Sequence, residues 1–238
     1  MHVLRDVESP QLGNTRDLAV YLPPSHGEQG RAFPVVYMHD GQNAAEWRLE
    51  ETMDELAREG LEAIVVGIPV DKENRRHEYG QEGAPDYLAF VAETVRPLVE
   101  REFAADERRE ARGLLGSSLG GVISLHGLYA HPETFGFAGV MSPAFFWNGD
   151  DRWFRLVERN DPPEARIYLD VGDRELVDNE ELSRRYVEGF ERMAALLRAR
   201  GFDNGSLRAV LDHGGVHHED TWARRLPDAL RFLLPSSR

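Results

Sequence analysis

The segment GLLGSSLGG, residues 113–121, places two adjacent serines between glycines and leucines. Its centre, GSSLG, fits the pattern Gly-x-Ser-x-Gly with Ser118 in the middle. That pattern is typical of a nucleophile at a sharp turn between a strand and a helix, where the residues two positions away must be small. The apolar run before it and the helix-like run LGGVISLHGLYA after it supply this context. We therefore predict that Ser118 lies at such a turn.

The chain around this turn alternates short apolar runs with longer segments of helical period. Predicted strands cover residues 18–22, 34–38, 63–70, 113–115, 138–141, 167–171 and 207–211. Predicted helices cover residues 50–59, 86–103, 119–130, 180–200 and 221–234. Several strands are apolar at consecutive positions, as parallel strands covered on both faces are. We predict an α/β fold in one domain, residues 1–238: a mostly parallel twisted sheet of about eight strands, helices on both faces, and antiparallel strands within residues 2–24.

Composition limits the classes of function. The net charge of −14 argues against nucleic acid or an anionic membrane surface as a partner. The absence of cysteine excludes disulfides, thiolate metal sites and a cysteine nucleophile. The N-terminus has no basic-then-apolar leader, and no apolar run approaches the ~20 residues that cross a bilayer. We predict a cytoplasmic protein that needs no cofactor.

A serine hydroxyl needs a base, so a histidine must reach Ser118. Where a serine nucleophile lies at such a turn, the acid and then the histidine follow it along the chain. His126 and His131 belong to the helix directly after Ser118 and are more simply packing or surface residues. The loop LDHGGVHHEDTW, between the last strand and the last helix, carries His213, His217 and His218. Because the ends of parallel strands gather at one edge of the sheet, both His217 and His218 are eligible.

The same loop raises the alternative of a metal site. His213, His217, His218, Glu219 and Asp220 are residue types that bind zinc. Their spacing matches no metal-binding motif, and adjacent histidines on a loop usually diverge. We predict no metal site.

The acid and the oxyanion donors are expected at other strand ends. VGDRELVD follows the strand at residues 167–171 and offers two carboxylates, Asp173 and Glu175, either of which can hold the imidazole. One oxyanion donor is the backbone amide of Leu119. The other is expected in HDGQN, residues 39–43, where Gly41 allows the backbone to aim an amide inward and Gln42 supplies it.

Five segments together resemble the esterase D-like branch of the α/β-hydrolases, which includes enterochelin-esterase-like enzymes, S-formylglutathione hydrolases, feruloyl and acetyl-xylan esterases, and mycolyltransferases. The segments are VVYMHDGQN, NRRHEYG, GLLGSSLGG, MSPAFFW and GGVHHEDTW. The resemblance covers residues 14–235 approximately. It implies the α/β-hydrolase fold without a separate lid domain, and a hydrolase that acts on a small-molecule carboxylic ester.

The resemblance also selects among the open alternatives. The family's acid sits three residues after the glycine that ends its strand, which implies Glu175, with Asp173 as the runner-up. Its histidine lies five residues before a tryptophan, so Trp222 implies His217. Asp40, Arg75 and Glu78 are expected beside the substrate. Arg75 and Glu78 resemble the family's pair that braces the loop beside the site, and the alternative is an ordinary surface ion pair.

We thus predict a serine esterase that works by acyl transfer. Specificity is expected from the loops at residues 74–84 and 143–153. Their aromatic residues form either a wall of the site or part of the core: Phe145, Phe146, Trp147 and Trp153. The alternatives are an acyltransferase and a catalytically silent binding protein of the same fold.

Overall fold

In the computed structural model, which describes residues 1–235, eight strands form one sheet. The last three residues of the predicted domain lie outside the described part. The strands are β1 (His2–Ser9), β2 (Asn14–Tyr21), β3 (Val35–His39), β4 (Ile64–Ile68), β5 (Arg112–Ser117), β6 (Phe137–Met141), β7 (Arg166–Gly172) and β8 (Leu207–Asp212). Their order across the sheet is β1-β2-β4-β3-β5-β6-β7-β8.

The sheet is parallel from β4 to β8, while β2 runs antiparallel to both β1 and β4. Every residue of β3, β4, β5 and β6 is buried, which accounts for their unbroken apolar runs. The predicted mostly parallel sheet with antiparallel N-terminal strands is confirmed.

Helices cover both faces of this sheet, as predicted. They are α1 (Leu49–Arg58), α2 (Arg75–Gly80), α3 (Ala84–Ala89), α4 (Arg96–Glu102), α5 (Leu119–Ala130), α6 (Arg152–Arg159), α7 (Glu180–Ala199) and α8 (Glu219–Leu233). One core cluster includes the buried sides of α5 and α7, and a second includes those of α1 and α8. Within residues 1–235, no helix is both long and apolar enough to cross a bilayer.

Three helical predictions need correction. The predicted helix at 86–103 is interrupted by a π-helical turn, Phe90–Val95, in which the N–H of Arg96 bonds to the carbonyl of Val91. The turn precedes Pro97, which lacks the N–H that a regular α-helix would use. Helix α2 lies inside the predicted loop 74–84. Helix α6 was missed although its buried residues, among them Trp153 and Val157, recur at helical spacing.

The parallel strands all end at one edge of the sheet. The loops that follow β3, β5, β7 and β8 therefore meet there, and they carry residues 40–43, Ser118, Glu175 and the histidine-rich segment 213–218. A functional site is therefore expected at this edge of the sheet.

Candidate active site

Ser118 occupies the sharp turn between β5 and α5. Its backbone has φ 58° and ψ −121°, a conformation that costs energy for any residue other than glycine. A Cβ on Gly116 would lie 2.8 Å from the carbonyl carbon of Gly120, so only glycine lets the strand and the helix pass this closely. The side chain is not sealed inside, since Ser118 is partly exposed. The geometry is that of a nucleophile elbow.

Two segments offer backbone N–H groups at this edge. Leu119 is the first residue of α5, where an N–H has no partner within the helix and the positive end of the helix dipole lies. Gln42 lies in a short 3₁₀ helix, Gly41–Asn43, directly after β3. Its side-chain oxygen accepts a hydrogen bond from the N–H of Val70 at 3.1 Å, which ties this loop to the segment after β4.

The prediction about Gly41 is wrong in its reason. The residue with left-handed backbone is Asp40, with φ 56°, and not Gly41. A Cβ on Gly41 would lie 2.2 Å from the carbonyl carbon of Gly67 in β4. Glycine is required at position 41 because two backbones approach closely there, rather than because the chain needs an unusual dihedral angle.

The loops after β7 and β8 bring Glu175 and His217 together. Oε2 of Glu175 lies 2.5 Å from Nδ1 of His217, and the N–H of His217 donates to the carbonyl of Glu175 at 2.8 Å. The Glu175 side chain is fully buried, whereas His217 is 19 % exposed. The ring of Trp222 packs edge-on against His217, 4.9 Å between centroids. Because Nδ1 faces the carboxylate, Nε2 is the nitrogen left to act as a base.

The rival acid and histidine have other partners. Asp173 lies 2.9 Å from Nδ1 of His213 and accepts from the N–H of Gly214, at an exposed position. His218 is the N-terminal cap of α8, where its Nδ1 accepts from the N–H of Asp220. Within the described part of the chain, no cluster of three or more histidine, aspartate or glutamate side chains is arranged to hold a metal ion.

Tyr186, on α7, lies between the serine and the histidine, and sequence reasoning missed it. Its hydroxyl lies beside the Ser118 side chain, and its ring packs 4.9 Å from that of His217. Burial raises the pKa of Tyr186 to about 12, so the phenol stays neutral. The only signal in the sequence was its position on the apolar face of α7, which is also what a core residue shows.

Asp40 and Arg75 form a bidentate ion pair beside the elbow. Nε and Nη2 of Arg75 lie 2.7 and 2.8 Å from the two carboxylate oxygens of Asp40. The predicted pairing of Arg75 with Glu78 is wrong. Glu78 is 3 % exposed and binds Arg16 at 2.6 Å, because it lies on the buried side of α2. It therefore forms a buried ion pair in the core and does not line the site.

The predicted aromatic wall divides into exposed and core residues. Trp147 is 43 % exposed, and Phe146 packs on Tyr186 at 4.8 Å, beside a cavity of about 580 Å³. Phe145 is 1 % exposed and contributes mainly to the core. Trp153 is buried in α6 against His126, as the alternative of a core residue predicts.

A family model with the description "Putative esterase" matches residues 9–233. The chain belongs to this esterase family. It is a carboxylic ester hydrolase with the α/β-hydrolase fold, as the resemblance of its motifs implied.

Relatives of this esterase span a range of lengths. It is 25 % identical over 240 residues to the uncharacterized protein YbbA of Bacillus subtilis (strain 168), with 95 % of both chains covered. It is 27 % identical over 158 residues to the ferri-bacillibactin esterase BesA of the same organism, covering 64 % of this chain and about half, 52 %, of BesA. The siderophore hydrolase EstA from Aspergillus nidulans has the same fold, with a TM-score of 0.80 at 18 % identity over 98 % of this chain and 93 % of EstA.

Proposed function

We propose that this esterase hydrolyses small-molecule carboxylic esters through an acyl-enzyme formed on Ser118, with His217 as the base and Glu175 as the acid that holds it. The observation that carries the proposal is the hydrogen bond from His217 Nδ1 to the buried Glu175 carboxylate, with Tyr186 in contact with both His217 and Ser118. A buried carboxylate in this position fixes the imidazole tautomer and stabilises the imidazolium.

The proposed reaction begins when Nε2 of His217 takes the hydroxyl proton of Ser118 as the oxygen bonds to the ester carbonyl carbon. The carbonyl oxygen becomes an oxyanion, which the N–H groups of Leu119 and Gln42 stabilise. The intermediate then expels the alcohol, which takes its proton from the imidazolium and leaves the acyl group on Ser118. Water repeats the sequence and releases the carboxylic acid.

The substrate panel follows from the relatives. BesA and EstA carry names of siderophore-cleaving enzymes, so siderophore esters belong on the panel beside feruloyl, acetyl-sugar and simple aliphatic esters. Added alcohols as acceptors distinguish hydrolysis from acyl transfer by the products formed.

The test uses a short p-nitrophenyl ester and three variants. Ser118→Ala should lower kcat by roughly 10⁴–10⁶-fold and abolish labelling by a fluorophosphonate, with the fold intact. Glu175→Gln should lower kcat by roughly 10²–10⁴-fold because it removes the charge that stabilises the imidazolium. Asp173→Asn is the matched control, since this exposed carboxylate contacts His213 instead, and its kcat should stay within about twofold. An unchanged rate in Ser118→Ala refutes the nucleophile, and equal losses in the other two refute the choice of acid.

A further inference from the structure

Ser142, the serine of the MSPAFFW segment, lies directly behind the proposed acid. It follows β6 and is fully buried, and its φ of 41° is in the left-handed region that side chains rarely adopt. Its N–H donates to the carbonyl and to Oδ1 of Asp170, at 2.9 and 3.1 Å. The surroundings therefore hold a serine in a costly conformation at a point next to the site.

The hydrogen bonds of Ser142 determine where its proton points. Its Oγ accepts from Nε1 of Trp222 at 3.0 Å and from Nη2 of Arg225 at 2.8 Å. These two donors occupy the acceptor positions of the hydroxyl, which has only one proton to give. The remaining neighbour is Oε1 of Glu175, at 2.6 Å. The hydroxyl must therefore donate to Glu175.

The Glu175 carboxylate is thereby held at both oxygens. Oε1 receives the Ser142 hydroxyl and the N–H of Gly172, both at 2.6 Å, and Oε2 receives His217. An ionised carboxylate can only accept, so this set of donors suits it. Rotation of the carboxylate away from His217 would break both bonds at Oε1.

A buried cation, Arg225, lies next to Ser142. Arg225 is 5 % exposed, and its nearest carboxylates are Asp170 at 3.4 Å and Asp212 at 3.8 Å. Asp212 is already paired with Arg224 at 2.6 Å. Burial raises the pKa of Asp170 to about 7. The Arg225 guanidinium donates to Ser142 Oγ at 2.8 Å, and its positive charge polarises this hydroxyl toward Glu175.

We propose that Ser142 is a positioning residue of this esterase: its hydroxyl, oriented by Trp222 and Arg225, holds the Glu175 carboxylate in line with His217. The proposal rests on the role of Glu175 in the proposed function. Ser142 acts through Glu175, because its hydroxyl is fully buried and its hydrogen-bond partners are Glu175, Trp222 and Arg225.

The first test removes the hydroxyl in two ways. Ser142→Ala deletes it, and Ser142→Gly deletes it while providing the residue that favours the observed φ, so that loss of fold does not obscure the result. For both, kcat for a p-nitrophenyl ester should fall about 10- to 100-fold with KM nearly unchanged, since a hydrogen bond to a charged group is lost. Ser124→Ala is the control, because Ser124 is equally buried but bonds only to Gly120 of its own helix, and its kcat should not change by more than about twofold. Undiminished kcat in both Ser142 variants overturns the proposal.

The second test separates positioning from general damage to the fold. Ser142→Ala is combined with Glu175→Gln, and kcat of the double variant is compared with that of Glu175→Gln alone. If Ser142 acts through Glu175, the second substitution has no further effect, whereas a structural role lowers kcat by the same factor on either background. Additive losses therefore overturn the proposal while leaving the proposed function intact. Full activity in Glu175→Gln alone overturns the role of Glu175 in the proposed function, and the positioning role with it.

Discussion

Gly116→Ala tests whether the close approach of β5 and α5 holds Ser118 in its strained conformation. The added methyl carbon would lie 2.8 Å from the carbonyl carbon of Gly120 and 2.9 Å from its oxygen. Carbon atoms normally approach to about 3.5 Å, so the overlap is about 0.7 Å. Because both atoms belong to backbone, no side chain can rotate away, and the strand and the helix must separate.

The expected cost follows from that overlap. Overpacking of this kind destabilises a protein by about 1–3 kcal/mol, and for a chain of this size each kcal/mol lowers Tm by about 2–4 °C. The separation should also displace Ser118 and thereby lower kcat/KM. A displacement of 1 Å would lower it by about 100-fold. The measurements are a thermal unfolding scan and hydrolysis of a p-nitrophenyl ester.

Gly189→Ala is the matched control. Gly189 lies within α7, and its added Cβ would meet Phe145 at 3.7 Å, an ordinary contact. Alanine in a helix interior is favoured over glycine by up to about 1 kcal/mol, so this variant should raise Tm by a few degrees. The same substitution thus has opposite signs at the two sites. A Gly116→Ala protein with unchanged Tm and unchanged kcat/KM would refute the steric explanation of the elbow.

Two further predictions concern buried charge. Glu78→Gln leaves the guanidinium of Arg16 buried without its charged partner. It should lower the free energy of unfolding, measured by urea titration, by about 3–5 kcal/mol. A loss below about 1 kcal/mol would contradict the buried pair. His126→Leu tests pH dependence: burial lowers the pKa of His126 to about 4, so from pH 6.5 downward the unfolded chain takes up a proton that the folded one does not, and stability falls. Between pH 7 and 5.5 this histidine should account for about 1 kcal/mol of lost stability, and the loss measured in the leucine variant should be smaller by that amount.

Local patterns in the sequence were sufficient for the frame of the molecule. Consecutive apolar runs predicted the buried strands, because a parallel strand hides both faces from water. Helix α5 was predicted with its observed bounds, and the elbow at Ser118 was predicted because five contiguous residues encode its steric requirement. Helix α7 was recognisable from its apolar spacing and from Gly201, which has the positive φ of 101° expected just after a helix.

Which side chains meet was decided by the tertiary structure. From the residues alone Asp173 and Glu175 were equivalent, as were His217 and His218, because each pair follows the same strand. The conformations of two loops, 42 residues apart, turn Glu175 inward to His217 and leave Asp173 outside with His213. The direction of a side chain in a loop depends on backbone dihedral angles that no apolar period encodes.

The remaining contacts could not be predicted from the sequence for the same reason. Arg16 meets Glu78, and Tyr186 meets Ser118, across 62 and 68 positions of the chain. From the sequence, Glu78 on a short helix is expected at the surface, and Tyr186 on an amphipathic helix is expected in the core. Local patterns were sufficient to predict that an elbow, an acid and a histidine gather at one edge of a parallel sheet. The contacts among Glu175, His217 and their supporting groups are seen in the packed structure alone, because they depend on atoms brought together by the fold and not on neighbours along the chain.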